Sequence, residues 1–219
     1  MIGVLDLQGG VVEHLGHLHA LGVPARRVRH PQELDGLAGL ILPGGESTCL
    51  GKLLHQTGLD TAIPAAHARG LRLWGTCAGA ILLAKAVEGE KPHLALLDIT
   101  VHRNAYGSQL DSFTATAEVP PEISPAPVPL VFIRAPVITR TGPGVRVLLA
   151  VGDRIAAAAD DTGGMLATVF HPELSPSLAF HGWFARLCGL TVPSPEALRG
   201  DDAAWSRESW TKLAARPGR

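Results

Sequence analysis

The sequence predicts an α/β fold: a three-layer arrangement with a mostly parallel central sheet, helices on both faces and antiparallel strands added at one edge. Three observations predict it. In the first 90 residues short apolar runs alternate with helical stripes, the rhythm of a parallel sheet built from strand–helix–strand units. Several of those runs end in glycine-rich turns, where a strand must hand over to a helix. In the second half, strand-like runs follow one another with few helices between them.

The elements follow in order. Ile2-Gly3-Val4-Leu5-Asp6-Leu7 is mostly apolar and ends at Gly9-Gly10, as a strand covered on both faces would. Apolar residues at 11, 12, 15, 18 and 21 form a helical stripe closed by Gly22. Residues 23–28 and 37–42 read as the next two strands. Ser47 or Thr48 is placed to cap a helix through Leu50, Leu53 and Leu54. Residues 71–74 read as a strand and 78–87 as a helix. Strands are then expected at 96–101, 112–119, 130–133, 145–151, 154–159 and 166–170. Pro120, Pro121, Pro125, Pro127 and Pro129 mark a loop. A helix over 177–187 closes a domain spanning residues 1–190. Residues 191–219 form a C-terminal extension of unassigned role. Asp201 and Asp202 near the start of a charged segment, and Lys212 and Arg216 near its end, suit a helix macrodipole. Trp205, Trp210 and Leu213 within it are expected to dock on the chain's own surface.

Composition narrows the function. A chain of 219 residues, 46% hydrophobic and 18% charged, has enough apolar material for a sizeable core, which excludes global disorder. The formal net charge of −1 carries no general footprint for nucleic acid or an anionic membrane. The best apolar run, residues 78–87, breaks at Lys85 and falls far short of the ~20 residues that a bilayer span needs. Met1 leads directly into the first strand with Asp6 already present, so no secretory leader is expected. Three cysteines with no CxxC pair argue against a disulfide framework or a structural zinc site. Free thiols suit a reducing, cytoplasmic setting.

The chemistry concentrates at Gly75-Thr76-Cys77-Ala78-Gly79, between an expected strand and an expected helix. A sharp turn of this kind holds its central residue in a strained conformation and needs small flanking residues. It would raise the Cys77 sulfur above the sheet at a helix N-terminus, where the dipole favours thiolate. The Ala78 N–H would be one oxyanion-hole donor. Such a nucleophile needs a histidine base, and the base needs an acceptor to orient it. Of ten histidines, His171 stands out because it directly follows a strand, at an end where a sheet presents its ligand crevice. Glu173, two residues on, is placed to hold its tautomer. The turn Pro43-Gly44-Gly45-Glu46-Ser47-Thr48 lacks the Gly-Lys-Ser/Thr ending of a phosphate loop, and Gly45 N–H is expected as the second oxyanion donor.

Other features read more plainly. Glu13-His14-x-x-His17 is not the order of a zinc-protease helix, and His14, His17 and His19 are expected on a solvated or partner-facing helix face. Cys49 and Cys188 lack an elbow frame and read as passive thiols. Gln8-Gly9-Gly10 is expected to be a turn lining an interface or an ammonia path.

The cysteine elbow and the His171-Pro172-Glu173 triplet resemble class I (triad) glutamine amidotransferases. Leu5-Asp6-Leu7-Gln8-Gly9, the Pro43–Thr48 turn, Arg103-Asn104-Ala105-Tyr106-Gly107 and Phe132-Ile133-Arg134-Ala135-Pro136 narrow the likeness. Together with Phe170-His171-Pro172-Glu173-Leu174 they resemble the glutaminase subunits of pyridoxal 5′-phosphate synthase (the PdxT/SNO family). The resemblance covers roughly residues 1–188 and implies the flavodoxin-like sheet of that class. It implies that Cys77 attacks the side-chain amide of L-glutamine, giving a glutamyl thioester and ammonia. His171 would move the protons and Glu173 would orient His171. Glutamine recognition would fall to Gly45, Glu46 and Ser47 with Arg103, Ile133 and Arg134. A guanidinium can hold a carboxylate bidentately, and Glu46 can meet the α-ammonium. Ammonia would pass to a separate (β/α)₈ synthase subunit of PdxS type in a large hetero-oligomer. No metal or cofactor is implied for this chain. Two departures stand out: Ser108 occupies the place of the family's usual second arginine, with Tyr106 for phenylalanine, and the tail beyond residue 190 has no assigned counterpart. A stand-alone cysteine hydrolase of related fold and a non-catalytic regulatory module are the alternatives.

Overall fold

The computed structural model describes residues 1–103 and 112–198. Its first half alternates strands and helices: β1 (Ile2–Leu5), α1 (Val11–Ala20), β2 (Ala25–Val28), β3 (Gly39–Leu42), α2 (Ser47–Thr57), α3 (Leu59–Ala68), β4 (Arg72–Thr76) and α4 (Ala78–Leu83). Strands then dominate: β5 (Ala84–Val87), β6 (Leu97–His102), β7 (Ser112–Ala117), β8 (Val128–Ile133), β9 (Val137–Thr141), β10 (Val145–Val151), β11 (Arg154–Asp160) and β12 (Met165–Thr168). Helix α5 (Ala179–Leu187) follows.

Five strands form the parallel heart of the sheet in the order β2-β1-β3-β4-β12. All four residues of β1 and of β3 are buried, which is why those runs lack a polar alternation. From β12 the sheet continues antiparallel through β11 and β9 to β6, with β5 parallel to β6 at the far edge and β10 paired to β11. Strands β7 and β8 form a separate antiparallel pair. Helix α1 packs with α5, and α2 packs with α3 and α4. Trp74, Phe132, Phe170 and Phe184 are the largest fully buried side chains. Trp74 stands edge-on to His14 and His181, and its indole N–H donates to Thr168 Oγ1 at 3.2 Å.

The structure corrects several expectations. The helix expected over 78–87 stops at Leu83, and Ala84 turns into an extended conformation that starts β5. Residues 84–87 do not alternate strictly: a register shift between Ala84 and Ala86 lets both Ala84 and Val87 be buried while Lys85 is exposed. Helix α3 and strand β9 were not anticipated. Pro64 inside α3 hides its helical stripe, and Gly58, left-handed at φ 73°, both closes α2 and opens α3. The antiparallel strands of the main sheet do extend from one side of its parallel heart, but β12, the last of the expected runs, is itself parallel to β4, and β7 and β8 form a pair of their own. The proline loop ends earlier than expected, because Pro129 lies within β8, on a two-stranded pair that tolerates it. The expectations for Tyr106, Ser108, Trp205, Trp210, Leu213 and the charged tail segment lie outside the described residues. Among the described residues no helix is long and apolar enough to cross a membrane.

Candidate active site

Neighbouring parallel strands bring the sequence-distant residues together. Cys77 leaves the end of β4 and caps α4 with φ 50° and ψ −106°, a conformation that L-residues rarely adopt. Its backbone N–H donates to Thr168 O of β12 at 2.8 Å. The flanking glycines answer to close packing. A Cβ at Gly79 would overlap the carbonyl oxygen of Leu42, and one at Gly75 would overlap the backbone of Gly79. The turn therefore exists only with small residues on both sides.

His171 follows β12 and is pinned from a second direction, its N–H donating to Val131 O of β8 at 2.8 Å. Its Nδ1–H donates to Glu173 Oε1 at 2.7 Å, which leaves Nε2 as the ring nitrogen free to serve the cysteine. Burial lowers the pKa of His171. The charges of Cys77 and Glu173, and hydrogen bonds to both, outweigh burial and hold it well above the usual value. Glu173 is only 1% exposed at its side chain. Burial pushes its pKa up, but the charges of His14 and His171 and the hydrogen bond from His171 win and bring it to about 2. Gly44 is the wall behind this group: a Cβ there would overlap His171 Cε1 and approach Cys77 Cβ to 3.3 Å.

In front lies a cleft of about 490 Å³. Its lining includes Cys77, His171 and Glu173, and also Gly45, Glu46, Ser47, Ala78, Arg103, Ile133 and Arg134. Every site residue singled out in the sequence therefore borders one cavity. Arg134, just past β8, sits at φ 44°, a second strained residue at the rim. Glu46 corrects the capping expectation for Ser47 and Thr48. Glu46 is the extended residue before α2, and its carboxylate accepts from the N–H groups of Thr48 (3.0 Å) and Cys49 (2.7 Å). Ser47 is instead the first helical residue and is buried. Burial raises the pKa of Glu46, but those N–H groups, with the Thr48 hydroxyl and Arg103, lower it overall. Arg103 bonds Glu46 Oε1 at 3.1 Å, Thr48 Oγ1 at 3.2 Å and the carboxylate of Glu90.

The sequence profile of the SNO glutamine amidotransferase family matches residues 4–190. The chain belongs to this family. Among its curated relatives, the pyridoxal 5′-phosphate synthase subunit PdxT of Syntrophus aciditrophicus is 53% identical over 213 residues, 97% of this chain and 94% of that protein. The PdxT of Deinococcus radiodurans is 51% identical, covering 86% of this chain and 97% of its own. A solved glutamine amidotransferase superposes with a TM-score of 0.81 at 43% identity, covering 86% of this chain and 99% of that one. The Syntrophus alignment is long enough to include most of the residues beyond 190, so the extension does have a counterpart in a relative.

Two residues in this SNO-family site, Glu90 and His14, escaped sequence reasoning, and a third, Gln8, belongs to the turn expected to line an interface or an ammonia path. Gln8 lines the cleft, and its Oε1 accepts the N–H of Glu46 at 3.1 Å. Glu90 holds Arg103, and nothing local in the sequence points to it. His14 is fully buried, which corrects the solvated-face expectation for the histidines of α1. Of that group, only His19 is exposed, while His17 is partly buried with Nε2 2.9 Å from Ser175 O. The signal for His14 was the helical period, since it lies three residues after Val11 and four before Leu18, on the same buried face. Among the described residues no cluster of three or more His, Cys, Asp or Glu is placed to hold a metal ion. Burial drives the Cys188 thiol up to about 12, in keeping with a passive role.

Proposed function

We propose that this chain is a glutaminase that hydrolyses L-glutamine through a Cys77 thioester and supplies ammonia to a pyridoxal 5′-phosphate synthase subunit. The observation that carries the reading is the Cys77–His171–Glu173 set, assembled from neighbouring strand ends in a chain of the SNO family. The PdxT names of relatives covering most of both chains support the pathway.

In this mechanism the Cys77 sulfur, its proton passed to His171 Nε2, attacks Cδ of the glutamine side chain. The resulting oxyanion is met by the N–H of Ala78, at the start of α4, and by the N–H of Gly45. His171 Nε2–H gives its proton to the departing nitrogen, so the C–N bond breaks and ammonia leaves with a glutamyl thioester behind. His171, now neutral, takes a proton from water, which attacks the thioester. Glutamate leaves and Cys77 is regenerated. Glu173 keeps the Nδ1–H tautomer throughout.

Glutamine recognition is assigned to Glu46, Ser47, Arg103, Ile133 and Arg134 around the cleft. The substrate carboxylate would draw on the Arg103 guanidinium, now shared by Glu46 and Glu90. The partner is a PdxS-type (β/α)₈ synthase subunit in a large hetero-oligomer, in the cytoplasm, and this chain needs no cofactor of its own. Residues 1–190 are the glutaminase domain and 191–219 an extension of it.

The experiment is glutamine turnover by the chain alone and mixed with the synthase subunit, together with labelling by a thiol-directed glutamine analogue. Turnover that rises on mixing, and a label confined to Cys77, would support the reading. No turnover and no label in the mixture would refute it.

A further inference from the structure

The catalytic set ends at Glu173, but a series of buried polar side chains continues behind it. Only one Glu173 oxygen is bonded to His171; Oε2 is buried and makes no hydrogen bond of normal geometry among the described residues. What faces it is His14 Nε2 at 3.4 Å, with Thr76 Oγ1 also 3.3 Å from that nitrogen. His14 Nδ1 lies 2.8 Å from His181 Nε2, on α5. Both histidines are fully buried.

The tautomers follow from chemistry. Burial holds His14 neutral, with a pKa of about 4, so it carries one ring N–H. A carboxylate only accepts, so that N–H belongs on Nε2, facing Glu173. Nδ1 must then accept from His181 Nε2–H. His181 is left with a bare Nδ1, and that atom is indeed buried without a partner among the described residues. An unpaired acceptor there is the milder defect, compared with an orphaned N–H.

We infer that His14 is a positioning residue for the glutaminase reaction, holding the second oxygen of Glu173 while His181 fixes its tautomer. The order of contacts is His181, His14, Glu173, His171, Cys77, with His14 Nε2 and Glu173 Oε2 facing each other at 3.4 Å. A carboxylate fixed at both oxygens cannot rotate, so the imidazole it orients keeps its Nε2 toward the sulfur. This rests on the proposed role of the Cys77 set. His14 touches neither the sulfur nor the cleft, and acts only through Glu173.

The test is steady-state glutamine hydrolysis, with the synthase subunit present, by wild type, His14→Leu, His14→Gln and His14→Asn. Glutamine can place an amide N–H near the position of Nε2, whereas asparagine and leucine cannot. The groups that face His14 are Glu173, His171, His17 and His181. Loss of the donor lets burial raise the carboxyl of Glu173, so the acid limb of kcat moves to higher pH. His14→Leu is expected to lower kcat roughly tenfold or more with KM within about twofold. His14→Gln should recover most of the rate and return the acid limb, and His14→Asn should not. If the leucine variant does not fold, the asparagine variant is read against the same criteria. Wild-type kcat and acid limb in a folded leucine or asparagine variant would overturn the inference. So would equal impairment of all variants with the limb unmoved, which is the signature of packing alone. Activity persisting in Cys77→Ala would instead overturn the underlying glutaminase reading, so the two failures are distinguishable.

Discussion

The backbone N–H of Cys77 donates to the carbonyl of Thr168 at 2.8 Å, so the last residue of one parallel strand fixes the turn that follows its neighbour. Three residues beyond Thr168 stands His171. Its distance from the sulfur is thereby set by sheet register, with Thr76 opposite Thr168, and not by loop conformation. A site built on such ends is stiff, and its weak points are the turns rather than the strands.

The strained turn makes a stability prediction. Cys77→Gly relieves a left-handed conformation that costs a non-glycine residue on the order of 1–3 kcal/mol. Cys77→Ala keeps that strain. In thermal melts the glycine variant should therefore be at least as stable as the alanine variant, despite glycine's greater chain entropy. A glycine variant that melts well below the alanine one would show that φ 50° is not strained there.

Gly44 and Gly79 should fail in different ways. A methyl group at Gly79 strikes the Leu42 backbone, which cannot move without opening β3, so Gly79→Ala should cost about 3 kcal/mol or more or not fold. A methyl at Gly44 strikes the His171 ring, a side chain. Gly44→Ala should thus fold and lose at least about tenfold in kcat. Circular dichroism melts beside turnover assays separate the two; a fully active Gly44→Ala would contradict the placement of His171.

Acid should destabilise the fold through the buried histidine. The folded pKa of His14, about 4, lies below its ordinary 6.5, so the unfolded chain binds more protons between those values. Its contribution is complete above pH 6.5 and is lost as pH falls toward 4. At about 1.4 kcal/mol per unit this is about 3 kcal/mol, and His181, also held low by burial, adds in the same direction. Glu173, depressed from 4.5 to about 2, loses its share as pH falls below 4.5. His171 has the opposite sign: its raised pKa adds stability below pH 6.5 that is lost as pH rises through the folded value. Melting temperature should fall between pH 6.5 and 4, and His14→Leu should flatten that slope. An unchanged slope in the variant would refute the assignment.

Arg103→Gln should raise KM for glutamine about tenfold or more while leaving kcat at saturation far less affected. The removed contact would be a charge-assisted one to the substrate carboxylate, formed equally in ground and transition states. A KM within twofold of wild type would place Arg103 in ion pairing with Glu46 and Glu90 alone.

Much of this was legible in the sequence because the site is written in local signals. Gly75-Thr76-Cys77-Ala78-Gly79 announces a strand–turn–helix corner, and His171-Pro172-Glu173 stands where a strand runs out. What stayed hidden depends on contacts across the chain. Residues 78–87 carry one apolar run that serves first as helix and then as strand, and periodicity cannot divide it. Capping by Glu46 instead of Ser47 turns on backbone conformation, which residue preference does not reveal. His14 was misread because a buried histidine looks like a surface one until its partners, Glu173 and His181, are brought to it by α5 and the turn after β12.

The measurement that bears most directly on the central claim is ammonia release from glutamine by Cys77→Ala and wild type, each mixed with the synthase subunit. The account predicts release by wild type and none above background by the variant, with both chains folded and both binding the synthase. Ammonia release by folded Cys77→Ala at a rate near that of wild type would contradict it.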